Sequence, residues 1–276
     1  MKIIETRESV TLQSGGYKLF GILHLPKNVK NPPVVFFCHG LAGNKIGKDR
    51  IYVEIAQRLA EIGIASFRLD CRGSGDSEGL FQDFLPEHFI EDVLAGLEYL
   101  KKNPLIDKNR IGIFARSFGG PIAIQAASRF KDIKSLVLWC PMFSGKQWID
   151  QWQQMANQSI DPESAQELMR INGQQGSISF FEQFMKINIE EALAKLHSIP
   201  LLHIHGESDE RVTLEHALDY ERVRSSSKEK SQFLRLPNSD HDFSNYQEKQ
   251  QAIEKTLEWF DTTLNHQEKI AAIKKS

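Results

Sequence analysis

The stretch from residue 110 to residue 120 limits the possible folds of this chain more than any other. It reads R-I-G-I-F-A-R-S-F-G-G. The apolar residues of 111–114 predict a short buried strand, and the apolar periodicity beyond the stretch predicts a helix. Between the two, the small residues Ala115 and Gly119 bracket Ser117. This arrangement predicts a sharp turn from strand to helix that leaves the Ser117 hydroxyl exposed at its tip.

A turn of this kind usually reads G-x-S-x-G, and this chain has Ala115 in the first position. A methyl group is the smallest possible departure from that pattern. An ordinary glycine-rich helix start in an α/β core is the alternative interpretation. The predicted strand before Ser117 and the predicted helix after it favour a nucleophile elbow.

Apolar β-favouring runs alternate with helical periodicity along most of the chain. The predicted strands cover 10–14, 17–25, 34–38, 64–69, 111–114, 135–139, 200–205 and 232–236. The predicted helices cover 51–62, 86–102, 213–223 and 247–264, with one more after the elbow. This alternation predicts an α/β fold, with a mostly parallel sheet and helices on both faces. Functional groups in such sheets gather at the carboxyl ends of the strands.

The alternation is interrupted at 141–198, a span too long for a simple crossover and rich in aromatic residues. We expect a small helical cap (lid) there, with a weak centre at 172–177, over a core formed by 1–140 and 199–276. In the alternative interpretation, these aromatic residues only seal the insertion against the core. Three of them are expected to contact the substrate: Trp148, Trp152 and Phe181.

The composition indicates a globular protein without a nucleic-acid or membrane partner. The 276 residues are 41% hydrophobic and 25% charged, with a net charge of −2 and no basic stripe. The first residues lack the apolar core of a signal peptide, and no run is long enough for a membrane span. The three widely spaced cysteines, Cys38, Cys71 and Cys140, predict free thiols. These features predict a cytoplasmic protein.

A serine hydroxyl becomes a good nucleophile only with a base in hydrogen-bond reach, and histidine suits this role. A carboxylate behind the histidine fixes its tautomer. Ser117, Asp209 and His241 each follow a predicted strand, in the order serine, acid, histidine. Glu207 and Glu210 compete with Asp209 for the role of the acid.

The remaining histidines and glycine-rich loops predict neither a metal nor a cofactor. The spacing of His203 and His205 is compatible with metal binding, but no third ligand accompanies them. His39 is expected to shape the loop that follows its strand. The glycine-rich loops lack the phosphate-binding patterns.

Attack by a serine on a carbonyl produces an oxyanion, which is expected to be held by the backbone N–H groups of Leu41 and Phe118.

Five ordered motifs resemble those of the α/β-hydrolase superfamily, and they cover nearly the whole chain. They read H-G-L-A-G-N-K, D-C-R-G-S-G-D-S, A-R-S-F-G-G, H-G-E-S-D-E-R-V and N-S-D-H-D-F. Within the superfamily, the chain is most similar to small bacterial serine esterases of the cinnamoyl (feruloyl) type. The resemblance implies an eight-stranded, mostly parallel sheet and a triad of Ser117, Asp209 and His241. Those esterases often have Phe at the position of Leu41 and Gln at that of Phe118.

The sequence therefore predicts a serine hydrolase of the carboxylesterase type, acting through an acyl-enzyme on a small-molecule ester with a small to medium acyl or aryl group. An acyl thioesterase or a short-peptide hydrolase would use the same residues. A non-catalytic relative that binds a ligand under its cap is the alternative from another class. Homo-oligomerisation is compatible with the aromatic cap.

Overall fold

An antiparallel hairpin begins the sheet in the computed structural model, which describes residues 4–150, 153, 166–167, 169–227 and 231–265. Strand β1 (Glu5–Ser14) pairs along its whole length with β2 (Tyr17–Pro26). Gly15 and Gly16 form the turn with φ of 54° and 86°. Glycine adopts these positive φ angles without steric cost, so the predicted hairpin signal is confirmed.

Six further strands complete one eight-stranded sheet with the order β1-β2-β4-β3-β5-β6-β7-β8. They are β3 (Val34–Cys38), β4 (Ala65–Leu69), β5 (Ile111–Arg116), β6 (Ile133–Trp139), β7 (Leu201–Gly206) and β8 (Ser231–Leu236). All six run parallel to one another, and only the hairpin runs antiparallel. The predicted α/β class and mostly parallel sheet are confirmed.

Helices cover both faces of this sheet. They are α1 (Ile51–Glu61), α2 (Pro86–Lys102), α3 (Gly119–Arg129), α4 (Ile178–Met185), α5 (Glu190–Lys195), α6 (Leu214–Arg224) and α7 (Tyr246–Phe260). Strands β3, β4 and β5 are buried along their whole length because both faces are covered. Within β5, Ile113 joins the core cluster on one face and Phe114 joins the cluster on the other.

The sequence predicts a helical cap at 141–198, but the described part of this span contains a β-hairpin as well as helices. A two-stranded hairpin pairs Arg170–Ile171 with Gln174–Gln175, followed by α4 and α5. Its turn residues, Asn172 and Gly173, have φ of 50° and 80°. Asn-Gly is a strong hairpin signal, so the weak helical centre is a tight turn instead.

Within the described ranges, no helix is both long and apolar enough to cross a bilayer.

Candidate active site

Ser117 lies at the tip of a strained turn between β5 and α3. Its φ is 56°, a left-handed conformation that is uncommon for a residue with a side chain. Its amide donates to the Trp139 carbonyl at 3.0 Å, and its carbonyl accepts from the Gly120 amide at 2.9 Å. A Cβ atom at Gly119 would lie 2.5 Å from the His39 carbonyl oxygen. The turn therefore has the geometry of a nucleophile elbow.

The first small residue of the elbow, Ala115, is fully buried in β5 between Cys38 and Leu138 of the neighbouring strands. The sheet accommodates its methyl group without a break in the strand pairing. The departure from glycine in the elbow pattern therefore leaves this turn intact.

A continuous chain of hydrogen bonds joins three of the predicted site residues. His241 Nε2 lies 3.0 Å from Ser117 Oγ, and His241 Nδ1 lies 2.7 Å from Asp209 Oδ2. The loops after β7 and β8 meet closely, because Gly206 has no side chain and a Cβ there would overlap the Ser239 carbonyl. Asp209 and His241, which are distant in the chain, are thereby brought together.

The environment of Asp209 keeps this carboxylate ionised. Burial alone would raise its pKa, but the hydrogen bond with His241 and the Val212 amide hold the pKa below its ordinary value. Asp209 Oδ1 accepts from the amides of Arg211 and Val212, each at 2.9 Å. Glu210 is exposed in the same turn, and it has no hydrogen bond to His241 among the described residues.

Two backbone N–H groups beside Ser117 remain without a partner. Neither the Leu41 nor the Phe118 amide has an acceptor within the part of the chain that the structure describes. The loop after β3 passes close to the elbow, since a Cβ atom at Gly40 would lie 3.3 Å from Ser117 Cβ. Two unpaired donors next to the Ser117 hydroxyl form an arrangement suited to an oxyanion.

A buried ion pair that sequence reasoning missed anchors the loop that carries Leu41. The amide and the ammonium of Lys45 each lie 2.5 Å from the carboxylate of Asp70. The ammonium also lies 2.5 Å from Asp76, and Arg68 donates to the Lys45 carbonyl. His39 accepts from the Cys71 amide at 3.2 Å and so shapes the loop from its other end. The signal in the sequence that could have indicated this ion pair is the presence of Lys45 in one glycine-rich loop and of Asp70 and Asp76 in the next.

Arg116 is a second contributor that sequence reasoning missed. This buried residue directly precedes Ser117, and its Nη2 donates to the His241 carbonyl at 2.5 Å and to Asp242 Oδ1 at 2.7 Å. It therefore joins the end of β5 to the loop that holds the histidine. No pattern in the sequence indicates a contact between residues so far apart in the chain.

A cleft of about 930 Å³ opens over Ser117 and His241. Trp148 lines it, and its ring stacks on His216 at 5.7 Å and meets Phe184 edge-on at 5.1 Å. Phe181 does not line the cleft; its ring lies 5.7 Å from that of the buried Phe180. The third residue expected to contact the substrate, Trp152, lies outside the described residues.

The donor chemistry near Asp209 does not fit a metal site. Cys140, His205 and Asp209 place candidate ligand atoms within 4.8 Å of one another. However, His205 Nε2 is hydrogen-bonded to the Val212 carbonyl at 2.8 Å, and Asp209 is already occupied by His241 and two amides. Burial raises the pKa of the Cys140 thiol well above its usual range, so a thiolate ligand is disfavoured.

The chain has relatives with hydrolase names. "Putative esterase YitV" of Bacillus subtilis is 26% identical over 252 residues, covering 84% of this chain and 89% of that protein. "Thiohydrolase aneE" of Aspergillus aculeatus is 33% identical over 128 residues, covering 46% and 39% respectively. The chain spans only 37 to 44% of the length of the first curated relatives it matches.

The fold also matches solved structures. Est1E from Butyrivibrio proteoclasticus, solved with ferulic acid bound, superposes with a TM-score of 0.73 and 25% identity. The superposition covers 91% of this chain and 98% of Est1E. The model of the prolyl oligopeptidase family (Peptidase_S9) matches residues 52–267. Because this match extends over more than half of the chain, the chain belongs to the prolyl oligopeptidase family, and its eight-stranded sheet is that of an α/β hydrolase.

Proposed function

We propose that this protein is a serine hydrolase that cleaves carboxylic esters through an acyl-enzyme intermediate. The observation that carries the proposal is the unbroken hydrogen-bond chain from Ser117 Oγ through His241 to Asp209. Nucleophile, base and orienting carboxylate lie at the carboxyl ends of three strands, beside an open cleft. This arrangement is suited to acyl transfer and needs no cofactor.

In the first step, Ser117 Oγ attacks the ester carbonyl while His241 Nε2 takes the serine proton. The Leu41 and Phe118 amides stabilise the resulting oxyanion. The tetrahedral intermediate then collapses, the bond to the leaving oxygen breaks, and His241 delivers its proton to the departing alcohol. Ser117 is left esterified by the acyl group.

In the second step, a water molecule gives a proton to His241 and attacks the acyl-enzyme. Collapse of the second intermediate releases the acid and returns the proton to Ser117. Asp209 keeps the second imidazole proton on Nδ1 and stabilises the imidazolium in both steps. Its ionisation, favoured by three hydrogen bonds, supports this role.

We further propose that the insertion at 141–198 acts as a cap and that the substrate carries a small to medium acyl or aryl group. Trp148, Phe184 and Phe118 give the cleft an apolar wall on this side. The ferulic acid bound to Est1E supports an aryl group of similar size. A thioester is the second candidate, supported by the thiohydrolase relative.

A fluorophosphonate probe tests the proposal because it reacts only with an activated serine. Wild-type protein is expected to be labelled on Ser117, Ser117→Ala protein is not, and Ser128→Ala protein is labelled like the wild type. Ser128 is a matched control in α3, where its hydroxyl donates to the Gln125 carbonyl. A wild-type protein that resists the probe as fully as Ser117→Ala would favour a non-catalytic binding protein.

A panel with one acyl group and different leaving groups separates the remaining hydrolase classes. The purified protein is tested on the oxygen ester, thioester and anilide of the same acid. We expect the highest kcat/KM for the oxygen ester. A higher value for the thioester or the anilide would transfer the assignment to a thioesterase or a peptide hydrolase.

A further inference from the structure

Three cations surround one carboxylate directly beside the candidate base. Asp242 follows His241 in the chain, and its Oδ1 accepts from Arg116 at 2.7 Å. Its Oδ2 lies 2.6 Å from Lys48 Nζ and 3.5 Å from Arg211 Nη1. We call these four residues the Asp242 cluster. Three positive charges on one negative charge leave the cluster with a formal excess of positive charge.

The lining of the cleft has the same charge imbalance. Among the described residues, its charged members are Lys48, Arg116, Arg170, Arg211, Glu210 and Asp242. Burial alone would raise the pKa of the Asp242 carboxyl, but Lys48 and Arg116 hold it well below its usual range. Asp242 is therefore ionised at neutral pH, and its single negative charge leaves two of the three positive charges in the Asp242 cluster unbalanced.

Only two of the three cations are available to a ligand. The Arg116 guanidinium is buried and already holds the His241 carbonyl and Asp242, so Arg116 is a positioning residue. The side chains of Lys48 and Arg211 are 54% and 64% exposed. Their nitrogens lie 2.6 and 3.5 Å from the same oxygen, so they are at most about 6 Å apart. A single carboxylate or phosphate can contact both.

The position of the cluster indicates which part of a substrate it would meet. In ester cleavage, the histidine delivers its proton to the leaving group, which must therefore lie beside His241. We propose, building on the proposed ester hydrolysis, that Lys48 and Arg211 form a subsite for an anionic group on the leaving-group side of the substrate. The enzyme would then prefer esters whose alcohol part carries a carboxylate or a phosphate.

In the competing explanation, the cations only hold Asp242 and thereby the histidine loop. The two explanations make different predictions for Lys48→Met/Arg211→Gln protein, in which Arg116 still binds Asp242 and the His241 carbonyl. A purely structural role would alter the hydrolysis of all esters equally. A subsite would alter the hydrolysis of anionic esters alone.

Three substrates with one acyl group test the inference: 4-acetoxybenzoate, 4-acetoxyphenyl phosphate and the neutral methyl 4-acetoxybenzoate. The readout is the ratio of kcat/KM for each anionic ester to kcat/KM for the neutral ester. Because both values come from the same protein, the ratio cancels any change in the overall esterase activity of a variant. We expect the ratio to fall about tenfold in Lys48→Met/Arg211→Gln protein, because the substrate anion loses two partly exposed ion pairs. High salt should lower the wild-type ratio as well.

Lys102→Met/Arg129→Gln is the matched control, because it removes two exposed cations from α2 and α3, away from the cleft. Its ratios should equal those of the wild type. A Lys48→Met/Arg211→Gln protein with unchanged ratios for both anions would overturn the inference. A change for only one anion would assign the subsite to that chemistry.

Binding measured without turnover keeps this inference separate from the proposed function. Titration calorimetry on Ser117→Ala protein compares 4-hydroxybenzoate and 4-hydroxyphenyl phosphate with the neutral methyl 4-hydroxybenzoate. Tighter binding of an anion that is lost with Lys48 and Arg211 supports the subsite, even if wild type hydrolyses no ester. Equal binding of the anionic and neutral compounds overturns it, even if wild type is an active esterase.

Discussion

Replacing Asp209 with asparagine should nearly abolish activity, because the structure dictates the orientation of the new amide. Asp209 Oδ1 accepts two backbone N–H groups, from Arg211 and Val212, each at 2.9 Å. In Asp209→Asn protein, the amide oxygen must remain at this position to accept them. The amide NH₂ therefore faces His241 Nδ1, which is 2.7 Å from Oδ2 in the wild type.

This orientation selects the wrong tautomer of the imidazole. An NH₂ group can only donate, so His241 Nδ1 must become the acceptor and the ring proton moves to Nε2. A protonated Nε2 cannot accept the Ser117 hydrogen, which lies across the 3.0 Å contact. The corresponding change in a serine protease triad lowers kcat about 10⁴-fold. A similar loss here corresponds to about 5.5 kcal/mol of transition-state stabilisation.

The assay is kcat/KM for an aryl acetate at pH 7.5, with the unfolding midpoint measured on the same samples. Glu207→Gln and Glu210→Gln proteins are the matched controls, since they neutralise the other acids near the β7 loop. We expect the activity of Asp209→Asn protein to fall about 10⁴-fold and that of both controls to stay within about threefold. An Asp209→Asn protein that folds and keeps more than about a tenth of the activity would refute the reasoning.

Three further predictions concern stability. Gly119→Ala should lower the free energy of unfolding by about 1–3 kcal/mol, because the new methyl would lie 2.5 Å from a backbone carbonyl oxygen; urea unfolding that matches the wild type would contradict this. Burial lowers the pKa of His24 and His216 to about 4, so the unfolded chain takes up these protons near pH 6.5 and the folded chain only near pH 4. The stability that the neutral histidines contribute is present above pH 6.5 and should fall by about 2 kcal/mol per histidine by pH 5. Urea unfolding at these two pH values measures the loss. A free energy of unfolding that stays constant between them would contradict the prediction. Lys45→Met leaves the buried Asp70 without its ammonium partner and should cost about 3–5 kcal/mol, whereas a change in the unfolding midpoint equivalent to less than about 1 kcal/mol would show that the ion pair is dispensable.

The central sheet could be predicted well because the run of apolar residues along a strand directly reflects the burial of that strand. Strand β3 is apolar along its whole length, and it is buried on both faces as that pattern predicts. Helix α2 spans Pro86–Lys102, the same residues as predicted. Strand β6 begins at Ile133, two residues before its predicted start, because Lys134 interrupts the apolar run. Helix α7 ends at Phe260, where one π-helical turn, Asp261–Asn265, replaces the last predicted turn.

The site was predictable where a residue follows a strand and unpredictable where a contact spans the fold. Ser117, Asp209 and His241 could be proposed together because each follows a strand in the expected order. Contacts such as that of Arg116 with the His241 carbonyl depend on how two distant loops pack, which no local pattern records. The placement of Phe181 outside the cleft depends likewise on the rotation of α4, which brings Phe184 rather than Phe181 into the cleft lining.

The most direct test of the central claim is to trap the covalent intermediate. The protein is mixed with an excess of an aryl ester, quenched in acid within the first turnover and digested for mass spectrometry. The acyl-enzyme mechanism predicts a single acyl group on the peptide that contains Ser117, absent from Ser117→Ala protein. Ester hydrolysis without an acyl adduct, or with an adduct on another residue, would contradict it.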